Sequence, residues 1–188
     1  MRVISVNVAT AVPMQIEGRS VLTAIGKRAV AGPVAVRPLG LAGDEQADLS
    51  VHGGIDKAVY AYPLAHYAFW QTVRAQARVA APDAALPFGA MGENLTLDGL
   101  DEAQLWIGDR LVLPHCVLAV SAPRTPCFKF AAAMGFAQAL RLMVRSSYCG
   151  AYLTVVQPGR VSAGETVELQ PGLREVNLRE LFKARMKA

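Results

Sequence analysis

The stretch QLWIGDRLVLPHCVLAVS, residues 104–121, decides the fold class because it contains three short apolar runs in close succession. The runs are Gln104–Ile107, Arg110–Leu113 and Val117–Ser121, and Gly108-Asp109 between the first two is a turn signal. Short strands that follow one another with turns between them are typical of sandwiches and barrels. The stretch therefore favours a mainly β fold.

The same pattern extends over the rest of the chain. Further strands are predicted at Val3–Val8, Gly32–Pro38, Lys57–Tyr62, Glu93–Leu97, Ala151–Val156, Arg160–Val161 and Glu165–Leu169. Helices are predicted after Pro63, over Phe128–Val144 and over Leu178–Met186, where Asn177 is a candidate N-cap with Glu180 three residues on. Many short strands with few helices predict a β-barrel with inserted helices, an α+β protein that is mainly β. The strand–helix alternation of a doubly wound fold is absent.

Length and composition limit the remaining possibilities. The chain has 188 residues, of which 53% are hydrophobic, and this is enough for one domain with its own core. We expect that domain to span residues 1–175, with a short C-terminal helix in 176–188. No apolar run reaches the roughly 18 residues of a membrane-spanning helix, and no signal peptide is recognisable, so a cytoplasmic, membrane-free protein is expected. The three cysteines include no CxxC pair and predict neither a disulfide framework nor a zinc ribbon.

Charge is unevenly distributed along the chain. The net charge is +4, and residues 121–188 contain ten Lys or Arg against four Asp or Glu. This excess indicates either an anionic ligand or nucleic acid, or an ordinary solvated surface. The low aromatic content of 7% and the absence of a Lys/Arg-rich run disfavour a dedicated nucleic-acid binder.

The first candidate site is GLAGDEQADLSVHGGIDK, residues 40–57. Its glycines permit a close approach of the backbone to a ligand, and His52 and Lys57 supply polar groups beside Gly53-Gly54. A polar loop with glycine turns is the alternative. We interpret the segment as functional because these residues exceed what a turn requires.

The second candidate is Asn94, within Gly92–Thr96 near the start of a predicted strand. Its amide could donate to and accept from a ligand. A turn Asn that binds its own backbone is an equally good interpretation.

The third candidate is Cys127, which lies in the segment Ser121–Lys129 at the start of a predicted helix. Arg124 and Lys129 are close in sequence, and both cations and helix-terminal N–H groups favour a thiolate. A thiolate is a nucleophile or a soft metal ligand. Cys116 and Cys149 lack such surroundings, and we interpret them as small buried apolar residues.

Taken together, these segments resemble the MOSC domain, the module named for the C-terminus of molybdenum-cofactor sulfurases, and in particular its stand-alone bacterial YiiM-like branch. The resemblance covers about residues 2–175. It is carried by Thr23–Lys27, Gly40–Asp48, His52–Pro63, Gly92–Thr96, Ile107–Asp109, Pro123–Lys129, Gly150–Tyr152 and Val161–Glu165. Each piece is short, and their number, order and spacing make the match specific.

The resemblance implies a MOSC-type β-barrel that binds the molybdenum cofactor (molybdopterin), with the cysteine that matches Cys127 as the protein ligand to molybdenum. Related members reduce N-hydroxylated compounds, such as N-hydroxylated bases, to amines. We expect a cofactor pocket in which Lys27, Arg124 and Lys129 neutralise the pterin and its phosphate, and in which Lys57 and Asn94 line the wall. The proton donor would be His52, whose ordinary pKa lies near neutrality. Asp44 and Asp56 would orient the cations.

The resemblance also leaves alternatives. The chain could carry the cofactor or a sulfur species without turnover, or it could be an inert scaffold. As an enzyme it would need a small N-hydroxylated substrate and an electron-donating reductase, and it could form oligomers. Family members usually have a longer helical C-terminal region. Pyridoxal phosphate binding belongs to the family description, but no desulfurase domain with a cofactor-binding lysine is seen here.

Overall fold

The computed structural model describes residues 1–47 and 53–187. Within them the strands are β1 (Arg2–Val8), β2 (Val12–Ile16), β3 (Arg19–Thr23), β4 (Arg28–Ala29), β5 (Val34–Arg37), β6 (Gly40–Leu41), β7 (Val59–Pro63), β8 (Leu95–Asp98), β9 (Arg110–Val112), β10 (Val117–Pro123), β11 (Ala151–Gln157), β12 (Gly159–Val161) and β13 (Glu168–Gln170). The helices are α1 (Tyr67–Gln76), α2 (Phe128–Met134), α3 (Ala139–Ser146) and α4 (Leu178–Lys187). Short 3₁₀ turns occupy Ile55–Lys57 and Leu64–His66. The predicted mainly β class with inserted helices is confirmed.

The strands form one large sheet with two small ones beside it. The large sheet has the order β13-β9-β10-β11-β7-β8-β1-β4, and its described pairs are antiparallel apart from β7 with β8. A parallel pair needs a long crossover, and α1 lies in the connection between these two strands. The smaller sheets are β12-β5-β6 and the hairpin β2-β3.

The two ends of the large sheet approach each other at β1. Arg2 forms an isolated bridge with Thr166, and the backbone N–H of Val3 donates to the carbonyl of Glu165 at 2.9 Å. The chain then continues directly into β13 at the opposite end of the sheet. The named strands of the described chain do not complete a ladder around a barrel, so closure into a barrel stays a prediction.

Two apolar clusters fill the interior. The first packs strand residues such as Leu97, Leu118 and Leu153. The second is aromatic and lies among the helices, with Trp70, Tyr62, Phe130 and Met143 fully enclosed. Helix α4 belongs to both clusters, because Leu178 packs in the first and Phe182 in the second. Full burial of each such side chain stabilises the fold by about 1.5–3 kcal/mol, so α4 docks on the body of the protein.

One predicted strand does not form. Gln104–Ile107 has a single isolated bridge, from Trp106 to Asn177, instead of a ladder. The backbone N–H of Trp106 donates to the Asp109 carboxylate at 3.1 Å, and the N–H of Asp109 returns to the Trp106 carbonyl at 3.0 Å. The backbone N–H of Trp106 is therefore used within this turn and is not available for a strand ladder.

The predicted helix Phe128–Val144 divides into α2 and α3. Gly135 adopts the left-handed region with φ 85° at the C-terminus of α2, and its N–H donates to the Ala131 carbonyl at 3.0 Å. Glycine takes this conformation without steric cost, and a left-handed residue ends a helix.

The β2-β3 hairpin was not predicted. Its two-residue turn is Glu17-Gly18, and both residues have positive φ, 49° and 76°. A turn with two positive φ values matches the twist of the flanking strands.

The longest described helices, α1 and α4, have ten residues each. None of the helices in the described ranges is long and apolar enough to cross a membrane.

Candidate functional site

One cavity collects most of the side chains predicted to be functional. It has a volume of about 640 Å³ with its open mouth. Six predicted residues line it, namely Lys27, Lys57, Asn94, Arg124, Cys127 and Lys129. They come from segments far apart in sequence, and the sheet order brings those segments together.

Cys127 lies at the surface of this cavity. It is the N-cap residue of the seven-residue helix α2, with extended backbone dihedrals, and its side chain is partly exposed. The other two cysteines are buried. Burial raises the pKa of Cys116 to about 11 and also raises the pKa of Cys149. Among the described residues, Cys127 is therefore the accessible thiol at the cavity.

Arg124 directly follows β10 and is buried, with 4% of its surface exposed. Its guanidinium carbon lies 5.3 Å from the ring centroid of Tyr60 and 4.9 Å from that of Phe130. Its Nη1 lies 3.7 Å from Met143 Sδ, and its side chain donates to the Tyr152 hydroxyl. No carboxylate in residues 1–47 or 53–187 lies within 4 Å of it as an ion pair.

The electrostatics of Arg124 favour its positive charge. Burial opposes the charged form, but the pKa of its guanidinium is raised because the neighbouring Tyr60, Tyr152 and Cys127 side chains favour the cation. A buried cation is costly unless an opposite charge compensates it. The position therefore suits an anionic group bound in the cavity.

Lys27 is paired within the wall of the cavity. Its Nζ forms an ion pair with Asp44 Oδ1, and the two side chains are 8% and 5% exposed. The same oxygen accepts the backbone N–H of Ala9 at 2.9 Å. The expectation that Asp44 orients a cation agrees with this geometry. Asp56, by contrast, is exposed and does not line the cavity.

Asn94 uses its amide within the protein. Its Oδ1 accepts the Tyr60 N–H at 3.0 Å, and its Nδ2 donates to Asp44 Oδ2 at 2.8 Å and to the Asn7 carbonyl at 3.3 Å. Both amide protons thus have protein acceptors. The geometry favours a positioning role for Asn94 behind Asp44 and Lys27.

Two further lysines add charge to the cavity. Lys57 Nζ lies 5.8 Å from the Tyr152 ring centroid, and Lys129 Nζ donates to the Leu22 carbonyl at 3.1 Å. Gln46 fixes the chain near Lys57, because its Nε2 donates to the Lys57 carbonyl at 3.3 Å and its Oε1 accepts the Gly54 N–H at 3.1 Å. Four cations thus line the cavity against two described carboxylates, those of Asp44 and Glu45, so the described part of the lining carries net positive charge.

A buried carboxyl, Glu93, supports the site from behind. It accepts the backbone N–H groups of Gly89 at 2.9 Å and Met91 at 3.0 Å, the Thr96 hydroxyl at 2.8 Å, and the Tyr67 hydroxyl. Burial raises its pKa above the ordinary value. These bonds fix the turn that precedes Asn94.

The sequence did not predict the aromatic wall of this cavity, which Tyr60 and Tyr152 form. Tyr60 and Tyr152 are direct partners between β7 and β11, and Tyr152 also pairs with Ala122 of β10. Arg124 lies two residues beyond Ala122, and side chains two residues apart share a face. The alternation of each strand could indicate a shared face, but nothing in the sequence gives the strand order.

The predicted proton donor His52 lies outside the described residues.

Comparison with known proteins identifies the family. The model of the MOSC domain family matches residues 48–168, which is well over half of the chain. This protein belongs to the MOSC family. The MOSC protein is 38% identical to YflK of Bacillus subtilis over 167 residues, which are 89% of this chain and 72% of YflK. It is 37% identical to YiiM of Escherichia coli over 160 residues, which are 84% of this chain and 68% of that protein. The resemblance stated from sequence is confirmed.

Solved structures support the same assignment for the MOSC protein. The crystal structure of YiiM from Geobacillus stearothermophilus superposes with a TM-score of 0.76 at 30% identity, covering 98% of this chain and 83% of that one. A third relative, from Gibberella moniliformis, is named "Reductase" and is 33% identical over 173 residues. That match covers 89% of this chain and 30% of the Gibberella protein.

MOSC domains are associated with the molybdenum cofactor, and the donor set of the cavity fits such a group. In the described part of the chain, no group of three His, Cys, Asp or Glu side chains could hold a metal ion by itself. A single thiol beside several cations instead suits a metal that arrives with most of its ligands on an anionic carrier.

Proposed function

We propose that this MOSC protein is a cytoplasmic, molybdenum-cofactor-dependent reductase of N-hydroxylated compounds, N-hydroxylated bases among them. One observation carries the proposal: the partly exposed Cys127 shares a cationic cavity with the buried Arg124, which has no carboxylate partner in the described chain. The name of the Gibberella relative supports reduction as the chemistry.

The residues of the cavity divide into a metal ligand and an anion-binding set. Cys127 would hold molybdenum through Sγ, because a thiolate is a soft ligand. Lys27, Arg124 and Lys129 would bind the anionic pterin and its phosphate, and Lys57 would add charge to the same wall. When bound, the cofactor would supply a centre that delivers two electrons.

The reaction balances as R–NH–OH + 2 e⁻ + 2 H⁺ → R–NH₂ + H₂O. The N–O bond breaks, the nitrogen is reduced, and the oxygen leaves as water. The protein's own part is to supply a proton to the leaving oxygen, and sequence alone assigns this to His52. A separate reductase would deliver the electrons.

The test is metal analysis and a reduction assay on protein expressed in cells that synthesise the cofactor. We expect about one molybdenum per chain and conversion of an N-hydroxylated purine base to its amine with dithionite-reduced viologen as donor. Cys127→Ser should lose both, whereas Cys116→Ser, at a buried position outside the cavity, should keep both.

Each other outcome is decisive. Bound molybdenum without amine formation would refute the reductase and support the carrier alternative. Wild-type protein without molybdenum, or full activity in Cys127→Ser, would refute the reductase and the carrier as drawn.

A further inference from the structure

A second recess, which we call the rear groove, lies behind the segment that runs from β3 into β4. It has a volume of about 1160 Å³ with its open mouth. Ile25 and Lys27 line both this groove and the cavity with Cys127, whereas Gly26 and Arg28 line the groove alone. The two spaces are therefore separated by a single stretch of chain.

The lining of the rear groove combines apolar surface with positive charge. Its apolar wall includes Met14, Leu86, Pro87, Phe88 and Met134. Arg28 and Arg74 add cations, and none of the described lining residues is an Asp or Glu. A pocket with apolar walls and a few polar groups is typical of small-molecule sites.

The two arginines lack carboxylate partners. Across the described ranges neither guanidinium lies within 4 Å of an Asp or Glu oxygen as an ion pair. Arg74 is partly buried, and its Nε donates to the Met134 carbonyl at 3.2 Å, which holds the guanidinium at the groove. A carboxylate, sulfonate or phosphate would supply the charge-assisted hydrogen bonds that this position leaves open.

The segments that form the wall of the groove are held together by close contacts. A Cβ on Gly89 would lie 2.5 Å from the Lys27 carbonyl oxygen, so the two segments are in tight contact. The N–H of Gly89 donates to Glu93 at 2.9 Å, and the rings of Tyr67 and Phe88 meet edge to face at 5.6 Å. The groove is therefore preformed.

We propose that the rear groove binds an amphipathic organic anion, a molecule with an apolar body and one anionic end. Arg28 and Arg74 bind the anionic end, and the partly exposed Met14 and Phe88 contact the apolar body. This site is distinct from the cavity with Cys127, and the proposal does not depend on the reductase activity.

The test uses 1-anilinonaphthalene-8-sulfonate, an aromatic sulfonate, as a fluorescent probe on the full chain. Decanoate is the competitor, and decanol is its neutral control of equal chain length. We expect decanoate to displace the probe at a concentration about 10-fold lower than decanol does, because one charge-assisted interaction changes affinity by about that factor.

Two kinds of variant locate the binding. Gly26→Trp should fill the groove and abolish displaceable binding, because a Cβ at Gly26 meets no atom within 4 Å and its φ is outside the left-handed region. The double change Arg28→Gln and Arg74→Gln should weaken decanoate about 10-fold. The matched controls are Ala163→Trp and the pair Arg141→Gln and Arg145→Gln, all at exposed positions that line neither the groove nor the cavity. Circular dichroism and a thermal melt verify that each variant is folded.

The proposal fails if decanol competes as well as decanoate, or if the control variants lose as much affinity as the groove variants. It also fails if binding is lost in Lys57→Gln with Lys129→Gln but retained in Gly26→Trp. That result would place the anion in the cavity with Cys127.

Discussion

The side-chain amide of Asn94 donates to the carboxylate of Asp44 at 2.8 Å, across fifty positions of sequence. Since Asp44 in turn holds Lys27, the amide determines where that ammonium group lies. Asn94 thus positions Lys27, the residue proposed to bind the anionic cofactor, through Asp44.

Asn94→Ala should therefore lower the free energy of unfolding by about 2 kcal/mol, since buried partners of the amide lose their hydrogen bonds. It should also reduce the molybdenum content, because Lys27 loses its fixed position. Urea unfolding and metal analysis check the two effects. Asn177→Ala is the control, since Asn177 caps α4 and its loss should cost about 1 kcal/mol without changing metal content. Unchanged stability in Asn94→Ala would contradict the role.

Thiol labelling should distinguish the three cysteines. At pH 8 in the folded protein, Cys127 should react rapidly with Ellman's reagent, because it is partly exposed at the cavity. Cys116 and Cys149 should react only on unfolding, since both are buried and burial raises the pKa of each. We expect one fast thiol per chain and three in urea. A fast phase that survives Cys127→Ser would show that the assignment is wrong.

Arg124→Met should separate stability from binding. Methionine keeps the apolar contacts with Tyr60 and Phe130 and removes a buried charge that has no carboxylate partner in the described chain. Replacing a buried charge by an apolar side chain is often neutral or stabilising, so the unfolding free energy should stay within about 1 kcal/mol of wild type. The molybdenum content should fall strongly. A loss of stability with full metal content would contradict the anion-binding role.

Glu93 should make stability depend on pH. Its folded-state pKa is raised by burial, so between the unfolded pKa and the folded pKa the native state binds more protons than the unfolded state. Stability should then fall as pH rises through that window, and Glu93→Gln should flatten this fall. Unfolding free energies at pH 4, 5, 6 and 7 measure it. Glu180→Gln is the control with the opposite sign. Lys183 lowers the pKa of Glu180, so the stabilisation that this pair contributes is lost as pH falls.

Local signals were predicted well from sequence. Asn177 caps α4 through its Oδ1, which accepts the N–H groups of Arg179 at 3.0 Å and Glu180 at 3.2 Å. Cys127 is the N-cap of α2, at the start of the helix predicted from Phe128. Both follow from residue types within a few positions of each other, and such local preferences are independent of the rest of the fold.

Two features that depend on distant partners were not predicted. The pairing of Tyr60 with Tyr152 depends on β7 and β11 being neighbours in the sheet, and the chain between them carries no mark of that order. The role of Asn94 was ambiguous because an amide can serve a ligand or the backbone equally well, and only the positions of Tyr60 and Asp44 decide between these uses. The division at Gly135 was readable in principle, since glycine favours the end of a helix.

The contact of β1 with residues 164–167 has a consequence for synthesis. During synthesis β1 finds part of its edge partner only when residues 164–167 have emerged from the ribosome, because the backbone N–H of Val3 donates to the Glu165 carbonyl. Contacts of such long sequence separation slow folding. Until then this part of β1 exposes unpaired backbone groups, and such an edge can pair with another chain.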